Sequence, residues 1–235
     1  MAPRKQGSHW RRLVSMLAGA VLLASCDPGP SPEHASQTVP APVAEAPTDG
    51  PVVVFLGDSL VAGFGLAADE ALPEQIAAIF KADGVKAKVV NAGVSGDTTA
   101  NGLARFDWSV ANADADVVVV ALGANDYLMG IDPEITRRNL TAIVQKAVDD
   151  GIACVLVGLQ PRSAVEDGSR DAAFAAIYPD IATAFGMQLY PSLMSDVENQ
   201  PELLQADGLH PTEQGVKIMA TRLAAFLDPI VRAYD

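Results

Sequence analysis

From residue 51 onwards, short apolar runs alternate with longer segments in which apolar residues recur every three or four positions. A continuous apolar run is typical of a strand buried in a parallel sheet, and the longer spacing is typical of a helix with one buried face. The runs predict five strands, at 52–56, 87–91, 116–122, 152–158 and 187–190. The spaced segments predict five helices, at 69–82, 98–111, 133–149, 169–185 and 212–227. This alternation indicates an α/β fold, with a parallel sheet covered by helices on both faces.

The first 50 residues do not share this pattern. Residues 1–12 carry four basic side chains and no acidic one, and residues 13–24 are apolar, with small residues near the end. This is the pattern of a bacterial export signal, and the apolar run is too short to span a membrane comfortably. The run leads into Leu23-Ala24-Ser25-Cys26, which matches the lipobox of bacterial lipoproteins, where the cysteine becomes the lipidated first residue of the mature chain. The alternative is an ordinary signal peptide cut near Ser25.

The chain therefore divides into three predicted parts: a lipoprotein signal peptide at 1–25, a tether at 26–50 that starts with the lipidated Cys26, and a folded domain at 51–235. The tether is rich in proline and alanine and should be extended. The lipid anchor would hold the domain to a membrane on the periplasmic side of a bacterial cell envelope. Asp27 follows the cysteine and resembles an inner-membrane retention signal of some Gram-negative bacteria, which favours the inner membrane.

Charge and cysteine content exclude some functions. The net charge of the 235-residue chain is −13, and removal of residues 1–25, which hold four basic and no acidic residues, would leave −17. So acidic a protein repels phosphate backbones, which argues against a nucleic-acid partner. The two cysteines are Cys26 and Cys154, the latter inside a predicted strand. We therefore expect no internal disulfide, no metal site built on Cys and His, and no cofactor.

Polar clusters directly follow the first three predicted strands. They are Gly57-Asp58-Ser59, the segment 95–98 (SGDT) and the segment 123–126 (GAND). Each cluster alone is better explained as a turn or a helix cap. In a parallel sheet, however, all three lie at the same edge, where α/β proteins bind ligands. Ser59 is then a candidate nucleophile, although Val61 breaks the G-x-S-x-G pattern of the α/β-hydrolase elbow and no G-K-[ST] motif of a P-loop follows.

A nucleophilic serine needs a base and donors for the developing oxyanion. His9 lies in the predicted signal and His34 in the tether, so His210 is the only imidazole of the domain. Asp207 lies three residues earlier in a glycine-containing loop, from which its carboxylate could orient the ring. The donors could be the backbone N–H of Gly96 and the side-chain amide of Asn125, within the second and third polar clusters.

The ordered motifs resemble those of the SGNH (GDSL) hydrolase family: GDSL at 57–60, SGDT at 95–98, GAND at 123–126 and DGLHP at 207–211. The stretches NGLARF, AFAAIYPDIA and LLQADGLHP are similar to the branch that holds bacterial thioesterase I/lysophospholipase enzymes and arylesterases. The resemblance covers residues 51–230 and implies a three-layer, flavodoxin-like fold without a metal.

The resemblance also implies roles for particular residues. Ser59 matches the nucleophile and His210 the base, with Asp207 as its orienting acid. The oxyanion hole matches the N–H groups of Ser59 and Gly96 and the side chain of Asn125; the SGDT match favours Gly96 over Gly93, three residues earlier. Asp58 and Asp126 match no catalytic role, and we interpret them as supports of their loops.

The expected activity is hydrolysis of aryl or acyl esters, or of thioesters, through an acyl-enzyme, with a small-molecule ester or a lipid as substrate. The alternatives are a polysaccharide O-deacetylase of the same fold and a non-catalytic lipid-binding lipoprotein. Residues 161–168 follow the fourth strand, where the family implies part of the acyl site, but their sequence has no close match. Residues 127–131 could form an apolar wall of that site or could pack under the next helix.

Overall fold

The computed structural model describes residues 50–161 and 169–234. Its centre is a five-stranded parallel sheet with the strand order β2-β1-β3-β4-β5. The strands are β1 (Val52–Gly57), β2 (Lys88–Gly93), β3 (Val117–Ala121), β4 (Ala153–Val157) and β5 (Gln188–Tyr190). The α-helices in the described residues are α1 (Ser59–Ala62), α2 (Leu72–Ala82), α3 (Thr99–Ala104), α4 (Phe106–Ser109), α5 (Ala124–Leu128), α6 (Pro133–Asp149), α7 (Arg170–Phe185) and α8 (Glu213–Val231).

Successive residues of the central strands pack on opposite faces of the sheet, as the two-residue period of a strand requires. On one face Val53 and Phe55 are buried against α2 and α8. On the other, Val54 and Leu56 are buried with residues of α4, α6 and α7. The result is three layers with the flavodoxin-like strand order, which confirms the predicted fold class and all five strands.

Three predicted helices have clearly different bounds in the structure. The helix predicted over 69–82 begins only at Leu72, after a separate 3₁₀ turn at Ala68–Glu70. The predicted helix over 98–111 is wrong as a continuous element, because Arg105 leaves helical geometry (φ −105°, ψ 6°) and separates α3 from α4. The last helix does not stop at Leu227 but continues through Pro229 to Val231. Leu227 and Val231 are both fully buried in the core. The burial of this last turn therefore outweighs the loss of the backbone hydrogen bond that Pro229 cannot donate.

Two short helices, α1 and α5, were not predicted. They span four and five residues, too few for a helical period to show in the sequence. Both begin at the carboxyl edge of the sheet, just after β1 and β3. They therefore carry the polar clusters that the sequence singled out as candidate chemistry.

Several predictions concern segments outside the described residues: the signal peptide, Cys26, almost all of the tether, and residues 162–168 of the loop after β4. Within residues 50–161 and 169–234, no helix has both the length and the apolar character to cross a membrane.

Candidate active site

Ser59 lies just after the carboxyl end of β1, the strand at which the strand order reverses. β1 ends at Gly57, which pairs with β2 on one side and β3 on the other. Asp58 caps α1, because its carboxylate accepts a hydrogen bond from the Leu60 backbone N–H at 3.0 Å. Ser59 is the first residue of that helix and is half-buried, with its side chain at the cleft. Asp58 thus supports the turn that presents Ser59, as predicted.

His210 connects Ser59 to Asp207. Its Nε2 lies 2.9 Å from Ser59 Oγ, and its Nδ1 lies 2.7 Å from one carboxylate oxygen of Asp207. The other Asp207 oxygen accepts from the backbone N–H groups of Leu209 and His210, at 2.9 and 3.0 Å. These bonds, first of all the one from the His210 side chain, lower the pKa of Asp207 to about 2. The ionised carboxylate accepts from Nδ1–H, which leaves Nε2 free to accept from the Ser59 hydroxyl.

Gly96 and Asn125, which with the Ser59 N–H are the predicted oxyanion donors, line the same cleft as Ser59 and His210. Asn125 donates one amide hydrogen to the backbone oxygen of Asp97 at 2.9 Å, which fixes the amide and leaves its second hydrogen available. Gly96 has a left-handed backbone (φ +87°), and no atom of the described residues lies within 4 Å of the place where its Cβ would be. Gly93, by contrast, packs against α1, where a Cβ would lie 2.3 Å from the Ala62 nitrogen. The structure therefore separates a donor candidate, Gly96, from a packing glycine, Gly93.

Buried side chains hold the loop and helix that carry these donors. The Asp126 carboxylate is fully buried and accepts from the backbone N–H and hydroxyl of Thr99 and from the Thr136 hydroxyl. It links α5 to α3 and α6, and so fixes the helix on which Asn125 lies. Each of these bonds satisfies a buried polar group, and the predicted supporting role of Asp126 is confirmed.

Arg105 is a positioning residue that the sequence analysis missed. Its guanidinium donates to the Asp97 carboxylate at 2.6 Å and to the Gly57 carbonyl at 3.0 Å. It therefore ties the loop of Gly96 to the end of β1. Arg105 lies inside the NGLARF stretch, but a basic residue in a predicted helix carries no signal that its side chain reaches back to the sheet.

The cleft has a volume of about 510 Å³ and mainly apolar walls, which include Leu60, Phe64, Tyr127, Leu128, Leu159 and Leu209. Of residues 127–131, Tyr127 and Leu128 line the cleft, as the interpretation of this segment as an apolar wall expects. The Tyr127 ring also packs edge-on against Phe174, with ring centres 5.3 Å apart, but Phe174 belongs to α7 and not to the next helix, α6. Gln160 and Pro161 line the cleft next to residues 162–168, which lie outside the described residues.

In the described residues, neither a cluster of metal ligands nor the Cys154 thiol adds reactive groups to the cleft. Among the described residues, no group of three or more His, Cys, Asp or Glu side chains could hold a metal ion. Cys154 lies in β4, and burial raises the pKa of its thiol to about 12. A thiol that stays protonated is a poor nucleophile and ligand. Among the described residues that line the cleft, Ser59 is the hydroxyl in contact with His210, which makes it the candidate nucleophile.

The fold and the site together define a hydrolase of the serine–histidine–aspartate type on a flavodoxin-like sheet. The chain belongs to the GDSL-like lipase/acylhydrolase family, whose sequence model matches residues 55–218. This is the family that the ordered motifs predicted.

Named relatives share most of their length with this chain. This chain is 36% identical over 180 residues to "Thioesterase 1/protease 1/lysophospholipase L1" of Escherichia coli strain K12, and the match covers 76% of this chain and 84% of the relative. It is 35% identical over 160 residues to the "Arylesterase" of Vibrio mimicus, covering 68% and 79%. The crystal structure of TesA superposes with a TM-score of 0.72 at 30% identity, covering 76% of this chain and 99% of TesA.

Asp58 gives a prediction on stability against pH. It is 2% exposed, and this burial raises the pKa of its carboxyl to about 6, from 3.8. The folded state thus holds the proton more tightly than the unfolded chain, so the contribution of Asp58 to the free energy of unfolding falls as pH rises from about 4 to about 6, by on the order of 3 kcal/mol. Asp58→Asn keeps the acceptor for the Leu60 N–H and does not titrate.

The check is urea unfolding of both proteins at about pH 4 and about pH 7.5. Wild type should lose more stability between these two values than Asp58→Asn does, because other titrating groups contribute equally to both proteins. Equal losses in the two proteins would show that Asp58 titrates normally.

Proposed function

We propose that this protein is a serine esterase that hydrolyses carboxylic esters or thioesters of apolar acyl or aryl groups through an acyl-enzyme. The observation that carries the proposal is the unbroken chain of contacts from Ser59 through His210 to Asp207 at the mouth of an apolar cleft. The relatives named thioesterase, lysophospholipase and arylesterase support the same reaction class.

In the first half-reaction, Ser59 Oγ attacks the carbonyl carbon while His210 Nε2 takes the hydroxyl proton. The developing oxyanion accepts from the N–H groups of Ser59 and Gly96 and from the free amide hydrogen of Asn125. The tetrahedral intermediate then collapses, and the His210 imidazolium gives its proton to the leaving alcohol or thiol. Asp207 stays ionised throughout and stabilises the imidazolium.

In the second half-reaction, water takes the place of the departed alcohol or thiol. His210 Nε2 removes a proton from this water as it attacks the acyl carbon, and the same three donors hold the oxyanion again. Collapse breaks the bond to Ser59 Oγ, which recovers its proton from His210. The carboxylic acid leaves and the free enzyme is restored.

The walls of the cleft favour an apolar acyl or aryl group. Phe64, Leu128 and Leu209 line it and remain 49%, 56% and 45% exposed, an apolar surface that an apolar substrate would cover. An O-acetyl sugar, the substrate of the deacetylase alternative, would leave much of about 510 Å³ unfilled by its acyl group. A complete serine–histidine–aspartate arrangement also argues against the non-catalytic alternative.

We further propose that Cys26 anchors the enzyme to a membrane of the bacterial cell envelope on the periplasmic side. The support is in the sequence: a basic segment, an apolar run and Leu23-Ala24-Ser25-Cys26 precede a tether rich in proline and alanine. Asp27 favours the inner membrane. In this proposal residues 1–25 are the signal peptide, 26–50 the lipidated tether, and 51–235 the hydrolase domain.

Ser59→Ala and His210→Ala should each lower kcat on a nitrophenyl ester by roughly 10⁴–10⁶-fold, because each breaks the same proton-transfer unit. For that reason the double variant should be no worse than the single variants. The measurement is steady-state kinetics on a series from acetate to palmitate esters, beside acyl-CoA and an acetylated polysaccharide. His210→Ala with near-wild-type turnover would refute the mechanism, and preference for the acetylated polysaccharide would favour the deacetylase.

Asn125→Ala should lower kcat by roughly 10²–10³-fold with little change in KM, because the amide acts mainly on the transition-state oxyanion. Gln145→Ala is a suitable control. Gln145 also donates its amide to one acceptor, the Asp149 carboxylate at 2.7 Å, but it is exposed on α6 and does not line the cleft. A raised KM with unchanged kcat in Asn125→Ala would instead make this residue a ground-state binding group.

The Cys26 proposal predicts that the full chain, expressed in a Gram-negative host, incorporates labelled fatty acid and fractionates with the inner membrane. Cys26→Ser should lose the label, and Cys154→Ser, the matched change at the other cysteine, should keep it. Asp27→Ser should move the labelled protein to the outer membrane. A soluble, unlabelled wild-type protein whose mature N-terminus is not Cys26 would overturn the anchor and leave the esterase proposal intact.

A further inference from the structure

Gln205 lies where the loop of the catalytic base meets the segment that follows the nucleophile. Its side-chain amide donates one hydrogen bond to the Phe64 carbonyl at 2.8 Å and another to the Pro211 carbonyl at 2.9 Å. Its backbone N–H donates to the His210 carbonyl at 2.7 Å. Gln205 therefore contacts the backbone at Phe64, five residues after Ser59, and at two consecutive residues of the base loop, His210 and Pro211.

The contact between the two segments is close. A Cβ on Gly65 would lie 2.4 Å from the Gln205 amide oxygen, so the chain passes directly over the amide. Next to it, the Phe64 ring packs against the His210 ring, with centres 4.5 Å apart and planes tilted by 35°. Phe64 thus covers one side of the imidazole, and the Gln205 amide holds the Phe64 backbone in that place.

We propose that Gln205 is a positioning residue for the proton transfer between Ser59 and His210. Both amide hydrogens form hydrogen bonds, one to the Phe64 carbonyl in the segment after the nucleophile and one to the Pro211 carbonyl next to the base. This bridge fixes the separation of the two segments and keeps the Phe64 ring against the imidazole. The proposal rests on the proposed function, because it assigns to the bridge a part in the same reaction.

A purely structural role would give a different result. Asp207, Gly208 and Leu209 are exposed and belong to neither core cluster, so this loop contributes little to the packing that holds the fold. Loss of the bridge should therefore change the Ser59–His210 geometry more than it changes global stability. A misplacement of about 1 Å in reacting groups can cost roughly 10²-fold in rate.

The test uses Gln205→Met, which keeps an unbranched side chain of similar length but has no donor, and Gln205→Ala. The control is Gln75→Ala, because Gln75 also donates its amide to a loop carbonyl, that of Asp69 at 2.7 Å, but does not line the cleft. For each full-length protein, kcat and KM on a short nitrophenyl ester, the rate of inactivation by a fluorophosphonate, and Tm are measured.

Both Gln205 variants should lower kcat and the inactivation rate in parallel by roughly 10–10²-fold, with KM within about twofold and Tm within a few degrees of wild type. Gln75→Ala should match wild type. Unchanged kcat in the Gln205 variants, or losses that follow a fall in the folded fraction, would overturn the proposal. A wild-type protein with neither esterase activity nor fluorophosphonate labelling would instead refute the proposed function.

Discussion

The hydrogen bond between Ser59 Oγ and His210 Nε2 joins residues 151 positions apart, and much of the fold serves to keep them within 2.9 Å. β1 is buried on both faces and ends at Gly57, which fixes the start of α1 and hence Ser59. α8 packs against α2 on one face of the sheet, so the loop before it reaches the same edge from the far end of the chain. A short-range contact thus depends on long-range packing.

Buried polar groups then set the finer geometry around this contact. The fully buried Asp126 carboxylate is satisfied by donors from α3 and α6, and this fixes α5 beside the cleft. Arg105 joins the Asp97 loop to the end of β1. An unpaired carboxylate at either place would be costly in a low-dielectric interior. The proposed oxyanion donors are therefore held in place before any substrate arrives, which is what electrostatic stabilisation of a transition state requires.

Much of this arrangement was predictable, and the parts that were not share a physical reason. The strands follow from apolar runs, and the parallel topology then brings Ser59, Gly96 and Asn125 to one edge. The helices α1 and α5 are too short to show a helical period of apolar residues. The break at Arg105 depends on where its guanidinium binds. The Gln205 side chain donates to backbone carbonyls. Every residue has a backbone carbonyl, so the sequence does not show which residues such a side chain will bind. The sequence thus predicts local preferences and the chemistry of motifs, but not side-chain contacts to distant backbone.

In the proposed mechanism, Ser59 Oγ forms the covalent bond of the acyl-enzyme. Ser95 and Ser192 also line the cleft and are the alternative nucleophiles. The most direct measurement is peptide mass spectrometry of the full-length protein after inactivation by a nitrophenyl phosphonate. We expect one phosphonyl group per chain, on the peptide that contains Ser59. A group on Ser95 or Ser192, or complete inactivation without any adduct on Ser59, would contradict it.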